Sequence, residues 1–417
     1  MEAYRSLSNA VPLQSLLTPL IRLVLSILLL KVVASRGGYQ YLDTVALSVA
    51  FSSVFSLFSL PGMLRVRTYL AVNRGNRERL SWRIVPPHAV FAFICSLVVG
   101  ALGLSLFYIA NILSGEGELI VFSSVLIFAG LSSSLVAVEH ICGRIQRQVF
   151  LRRVELFVFL VLALISIGFN SAVMAACAMY ASTAAARFVV LFRELRGGVN
   201  RLDRVSVEPF FSRKNVSYWL LGPGLLPLAA NLLQASSSVA VYSWVMHLLP
   251  TGVVGQVAIA YRLAGPIQII SGQLSYSTWG ALTAARSAKI LGGIGFFTIV
   301  VSLLSPFFFT HILKIAAPVD GVLYSILACV HLVFQGVCQV KGAELYTRGL
   351  FKPIFYSAIP HGVAAVVALL LIGFGLLDSL NQIMLVLLVP TLCELVVLVI
   401  YPHFYIYLSK RQQHEKS

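Results

Sequence analysis

Charge is scarce in this sequence, and acidic charge is scarcest. Asp, Glu, Lys and Arg together make up 11% of the 417 residues, less than half the share found in ordinary soluble domains. Hydrophobic residues make up 59%, and the mean hydropathy is +0.90. A water-soluble fold of this length could not hide that much apolar surface, so the bilayer must be the solvent for most of it. There is no Gly-rich phosphate-cradling loop followed by Lys and Ser or Thr, which argues against ATP-driven export by this chain. The cysteines Cys95, Cys142, Cys177, Cys329, Cys338 and Cys393 all sit in apolar stretches without metal-ligand spacing. They read as small buried hydrophobes, not as a disulfide framework. No cleavable signal pattern is evident, so the first apolar stretch is expected to remain as a helix.

What the sequence has is long apolar runs. A spanning helix needs about 20 apolar residues, and such stretches occur at 11–34, 42–69, 86–110, 119–142, 154–169 and 172–191. Six more follow at 216–248, 253–285, 290–313, 321–346, 353–377 and 382–408. The fifth and sixth are divided by little more than Asn170 and Ser171. The formal charge is +16, from 31 Lys and Arg against 15 Asp and Glu. That excess does not point to nucleic acid, because the charges fall in short runs between apolar stretches. Arg and Lys follow every even-numbered stretch, as at Arg74–Arg83, Arg144–Arg153, Arg193–Lys214 and Lys410–Lys416. The opposite loops are short and hold Glu116, Glu118, Asp320 and Asp378, with Arg36 and Lys314 as exceptions. By the positive-inside rule the even-numbered helices end in the cytoplasm, as do both termini.

The expected fold is therefore an all-α integral membrane protein with about twelve transmembrane helices. The longest polar segment divides it into a lobe at 1–192, a basic cytoplasmic linker at 193–215 and a lobe at 216–417. The second helix of each lobe is long and rich in Ser and Gly, opening at Gly37-Gly38-Tyr39 in one and at Gly255-Gln256 in the other. Two pseudo-symmetric six-helix lobes around a central cavity is an arrangement that transporters build from such repeats.

Ionisable groups within a bilayer cost about 2.5–3.5 kcal/mol each on insertion scales, so those that persist face a bundle interior or a watery cavity. Arg22 lies near the middle of the first helix and Lys31 toward its outer end, about two and a half turns away and on the roughly opposite side. Arg22 is expected to face a cavity, while Lys31 is equally open to snorkelling. Arg187 and Arg262 are also deep, and Gly265-Pro266 allows a kink just after Arg262. His140 shares a helical stripe with Ser133, Arg144 and Arg147, suited to a diphosphate headgroup or to anchoring a loop. Arg22, Arg187, Arg262, Lys31 and His140 are the candidates for a cationic substrate site, and a net cationic interior suggests an anionic substrate. His331, Gln335 and Gln339 repeat every fourth residue, and Asn231 and Gln234 stand in a polar seventh helix with Ser236, Ser237, Ser238 and Tyr242. Both faces suit sugar hydroxyls or interhelical hydrogen bonds. Glu394, His331 and Asp43 are the proton-coupling candidates, with Asp43 equally readable as a charge at a helix N-terminus. No set of residues suggests a catalytic centre, a metal site or a cofactor.

Twelve helices in two six-helix lobes, a basic interior and a Gly-Tyr-rich start to the second helix resemble the polysaccharide-exporter flippases of the multidrug/oligosaccharidyl-lipid/polysaccharide (MOP) superfamily. Within it, the Wzx-type O-antigen unit translocases look most similar. The resemblance covers essentially the whole chain and rests on architecture, since the family has no short catalytic signature. It implies alternating-access flipping of undecaprenyl-diphosphate-linked oligosaccharides across the bacterial inner membrane, for O-antigen or a similar surface polymer. It also implies the lipid-linked oligosaccharide and membrane lipids as partners, together with a polysaccharide polymerase and a chain-length regulator. Two other readings stay open: a drug or ion antiporter of the same superfamily, and a membrane-embedded polysaccharide polymerase or ligase. The antiporter would favour acidic cavity residues, and the enzymes carry a large external loop that this sequence lacks.

Overall fold

The computed structural model describes residues 13–55, 85–136, 138, 145–196, 225–248, 250–268, 271, short runs between 292 and 311, 321–347, 350–376 and 380–414. His140, the Arg-rich segment 74–83 and the linker beyond 196 lie outside them. Every regular element among the described residues is helical. The chain is a multi-pass membrane protein. Seven of the described helices are long and apolar enough to cross a bilayer on their own.

The first of the helices, α1 (Leu13–Phe55), runs for 43 residues. Left straight it would reach about 65 Å at 1.5 Å per residue, roughly twice the hydrocarbon thickness. It breaks at Gly38, with φ 69° and ψ −173°, a conformation that essentially only glycine adopts without strain. The first two expected spans are therefore two arms of one bent run. The first half continues with α2 (Val85–Ile109), α3 (Glu116–Ser134), α4 (Ile145–Gly168) and α5 (Ala172–Arg196). The second half holds α6 (Leu225–Leu248), α7 (Val253–Leu263), α8 (Gly321–Thr347), α9 (Phe351–Gly373) and α10 (Leu380–His414), with a helical turn at Ser305–Phe307 ahead of α8. The close division of the fifth and sixth spans is a tight turn. Asn170 takes a left-handed φ of 50°, and the Ser171 hydroxyl accepts the Met174 N–H at 3.3 Å.

The helix α2 illustrates the solvent. Val90, Ile94, Val98, Leu102 and Leu106 are all exposed at a spacing of four residues, which places them along one face. A continuous apolar stripe of this kind is stable only against hydrocarbon. Elsewhere along the helix Gly103 receives the Phe51 ring of α1. Phe51 meets Phe107 edge-on at 5.5 Å, and Phe107 meets Phe122 of α3 at 5.6 Å. This aromatic cluster ties α1, α2 and α3 together.

Within the first half, α1 packs on α3, α4 and α5, α2 on α3, and α4 on α5. In the second half, α6 packs on α9, α9 on α10, and α8 on α7 and α10. Contact between the halves runs through α1, which touches both α6 and α7. Ala46 of α1 belongs to the same buried cluster as Val254, Val257 and Ala260 of α7 and Leu332 of α8. What lies between the halves is therefore framed by α1 on one side and by α6, α7 and α8 on the other.

Candidate functional site

A cavity of about 570 Å³ opens between the two halves, within the size range of small-molecule sites. The first half contributes Arg22, Ser26 and Ser53 of α1, Ser132 of α3, and Tyr180 and Thr183 of α5. The second contributes Ser238 and Tyr242 of α6, Tyr261 and Arg262 of α7, and His331 and Gln335 of α8. Leu42 and Gly255 close it at the end nearest the Gly38 bend. Among the described residues that line the cavity there are two guanidinium groups and no carboxylate.

The two arginines are in different states. Arg262 has no hydrogen-bond or ion-pair partner among the described residues, and it lies in the field of the Tyr180 hydroxyl. Tyr180 also lies in the field of Arg22 and shares a hydrogen bond with Ser52 at 3.0 Å. Arg22, by contrast, is engaged through both of its terminal nitrogens. Its Nη1 ion-pairs with Glu155 Oε1 of α4. Its Nη2 donates to the Met179 carbonyl at 2.5 Å and to Thr183 Oγ1 at 2.6 Å. The Phe159 ring lies 5.5 Å beneath the guanidinium, within cation–π range.

The remaining expected cations stand apart. Arg187 is buried and donates to the carbonyl and hydroxyl oxygens of Ser132, so it supports a lining residue from behind the wall. Lys31 is half-buried and does not line the cavity. Of the sugar-facing candidates, His331 and Gln335 line the cavity. Gln339 accepts the Ser271 hydroxyl at 3.3 Å, Gln234 is turned into the second half, and Asn231 is half-buried away from the cavity.

His331 sits in a chain of hydroxyls. Tyr261 meets its Nδ1, and its Nε2 lies 2.9 Å from Thr391 Oγ1. The Thr391 hydroxyl donates to the Leu387 carbonyl at 3.3 Å, so it accepts the His331 Nε2–H. Nδ1 is then the acceptor for the Tyr261 hydroxyl, which fixes a neutral imidazole tautomer. Glu394 lies outside the cavity wall. Its Oε1 accepts from Gln234 Nε2 at 2.7 Å, and its Oε2 meets His361 Nε2 at 2.9 Å. Ser237 completes this cluster at 3.4 Å from His361 Nδ1.

Asp43 resolves its two alternatives in an unforeseen way. It serves a helix N-terminus, but that of α7 and not its own. The Gly252 N–H donates to Oδ2 at 2.6 Å and the Gly255 N–H to Oδ1 at 2.7 Å. A carboxylate at the positive end of a helix with two amides on it is doubly stabilised. Gly252 has φ 100°, so α7 opens there, three residues before the glycine expected from the sequence. A side chain at Gly255 would run into the Cβ of Leu42. Asp43 thus ties the two halves together beside Leu42 and Gly255, which line the cavity.

Sequence reasoning missed Glu155 and His361. In the run Arg152-Arg153-Val154-Glu155 the carboxylate reads as one member of a surface pair one turn along. His361 is an ionisable group in mid-span beside Pro360, and the cost of such groups could have singled it out.

These features define a class: a helical multi-pass membrane protein with two packed halves and a polar cavity between them. The same fold is seen in solved MATE-family and MurJ structures. The structure is similar to a MATE multidrug transporter, DinF-BH, with a TM-score of 0.62 at 15% identity, covering 94% of this chain and 96% of that one. It is also similar to the lipid II flippase MurJ in an inward closed conformation, with a TM-score of 0.59 at 14% identity, covering 93% and 87%. An inward-facing MATE-family multidrug resistance transporter of the MOP superfamily gives 0.57 at 15% identity, covering 94% and 95%. The sequence matches no family profile and no curated protein.

Proposed function

We propose that this protein flips an anionic lipid-linked oligosaccharide, of the undecaprenyl-diphosphate type, from the cytoplasmic to the outer leaflet of a bacterial inner membrane. The product feeds assembly of O-antigen or a similar surface polymer, alongside a polymerase and a chain-length regulator. The observation that carries this reading is the lining of the cavity, with Arg262 lacking a counter-ion and no carboxylate among the described lining residues. A bare guanidinium in a low-dielectric cavity attracts negative charge strongly, and its planar donor fork matches phosphate oxygens. A cationic drug would meet repulsion on the same wall, which disfavours the antiporter reading despite the comparable likeness of fold.

Alternating access is the mechanism we propose for this arrangement. The halves 1–192 and 216–417 rock about the cavity, with 193–215 as the cytoplasmic connection and both termini on that side. Asp43 on the α7 amides ties the halves together beside the cavity in this state. The lipid tail stays in the bilayer while the diphosphate meets Arg262 and Arg22, and the sugars meet Tyr242, His331 and Gln335. Glu394 with His361, or His331 in its hydroxyl chain, supplies the proton-responsive group for coupling.

The test uses the source bacterium with this gene deleted. Surface polymer and the sidedness of single lipid-linked repeat units in the inner membrane are measured together. Loss of polymer with single units trapped in the cytoplasmic leaflet supports the flippase. Single units reachable from the outer side point to a polymerase or ligase, and normal polymer with no trapped lipid points to drug or ion transport.

A further inference from the structure

Arg22 faces the cavity, yet its charge is already answered by Glu155, a residue with no part in the site as first drawn. We infer that Glu155 is the resident counter-ion of Arg22, one that only a doubly charged headgroup displaces, and so sets the preference for diphosphate over monophosphate lipids. This inference rests on the reading of the substrate as an anionic lipid-linked sugar.

Three observations carry it. The first is the sharing of one carboxylate between two cations. Glu155 Oε1 takes Arg22 and the Thr183 hydroxyl at 2.5 Å, while Oε2 takes Arg152 at 2.8 Å. If Arg22 turns away, Glu155 keeps a cation and a hydroxyl, so no unpaired buried charge is left behind. The exchange thereby avoids the penalty that usually makes buried ion pairs rigid. The second is an unused donor. Arg22 Nε is buried with no partner among the described residues, although a guanidinium carries five N–H groups in a fork suited to bidentate phosphate contact. The third is position. Arg22 and Thr183 line the cavity while Glu155 does not, so an incoming anion meets the guanidinium with the carboxylate behind it.

The consequence is a threshold. A prenyl-phospho-sugar carries one negative charge and is satisfied by Arg262 alone. A prenyl-diphospho-sugar carries one charge on each phosphoryl group, and its second charge competes with Glu155 for Arg22. Return of Arg22 to Glu155 then helps release the headgroup once the halves have moved. Arg152 tunes the exchange from its half-exposed place one turn before Glu155.

The experiment measures binding of two probes to the purified full-length chain in detergent: farnesyl-diphospho-N-acetylglucosamine and farnesyl-phospho-N-acetylglucosamine. The wild type should prefer the diphosphate. Glu155→Gln should tighten the monophosphate more than the diphosphate, lowering the preference about tenfold. Arg152→Gln, which leaves Glu155 dependent on Arg22, should weaken the diphosphate and leave the monophosphate near the wild-type value. A purely structural role for Glu155 would lower both affinities together. An unchanged preference in Glu155→Gln, or equal loss of both probes in the two variants, overturns the inference. Wild-type protein that binds neither probe overturns the anionic reading itself. Wild-type binding that Arg262→Gln removes and Glu155→Gln leaves untouched overturns only the counter-ion role.

Discussion

At the scale of single residues, the distinction that matters is between charges that are answered and charges that are not. Arg262 is the unanswered one, and Arg262→Ala should reduce export of lipid-linked units by at least about tenfold, since a charged hydrogen bond contributes about 1.5–3 kcal/mol. Membrane insertion should be normal, which immunoblotting of the membrane fraction checks. Glu394→Ala should act differently, because Glu394 lies off the cavity wall. It would strand His361 and Gln234 in the second half and destabilise the protein by about 3 kcal/mol. Thermal unfolding in detergent should show this drop, with a smaller one in Glu394→Gln, which can still bond to both neighbours. The depth of Arg22 and Arg262 was legible in the sequence because an intramembrane charge is expensive wherever it faces. The partners were not legible. Glu155 stands 133 positions from Arg22 along the chain, and only the packing of α1 on α4 brings them together. Nor does a helical repeat of polar residues say which of them reaches the cavity: His331 and Gln335 do, and Gln339, one turn on, bonds to Ser271.

At the scale of elements, the seam between α1 and α7 is the decisive contact. Leu42 is 2% exposed there. Asp43→Asn replaces one accepting oxygen with an amide that faces an N–H donor, so the seam should loosen. With a single cysteine at Leu42 and the native cysteines replaced, labelling by an impermeant thiol reagent added from outside should rise about tenfold in the Asp43→Asn background. Gly255→Leu should act in the same direction, by wedging against Leu42. Unchanged labelling in both would remove the seam from the gating of the cavity. The helices themselves were well announced: hydropathy marked the stretches that became α2 to α10, and the Asn170-Ser171 division is a turn as expected. The bend at Gly38 was announced by glycine. The start of α7 at Val253 coincides with the start of its apolar stretch, but Gly252 and Gly255 look alike in sequence, and only their dihedral angles and contacts separate their roles.

At the scale of the whole molecule, the composition dictated the solvent. Ligand response should report on the cavity between the two halves. A diphosphate-linked prenyl sugar at a hundred times its Kd should stabilise the folded chain by about 2.7 kcal/mol, visible as a raised unfolding temperature. A lipophilic cationic dye at the same concentration should give no rise. The reverse result would move the protein toward the drug transporters whose fold it shares. The sequence leaned toward the first outcome through the excess of cations over acids in its spans, but which of those charges the packing turns inward was not legible in it.

The seam at Asp43 carries a further consequence, for heredity. Its receiving half is main chain, the amides of Gly252 and Gly255, and every residue except proline presents an amide. Small side-chain changes on that side of the contact cannot abolish the donors; they can only crowd them. Mutations that loosen this seam should therefore act in two ways: at position 43 by removing the acceptor, and at 252 and 255 by crowding, where even a Cβ would overlap Tyr39 or Leu42.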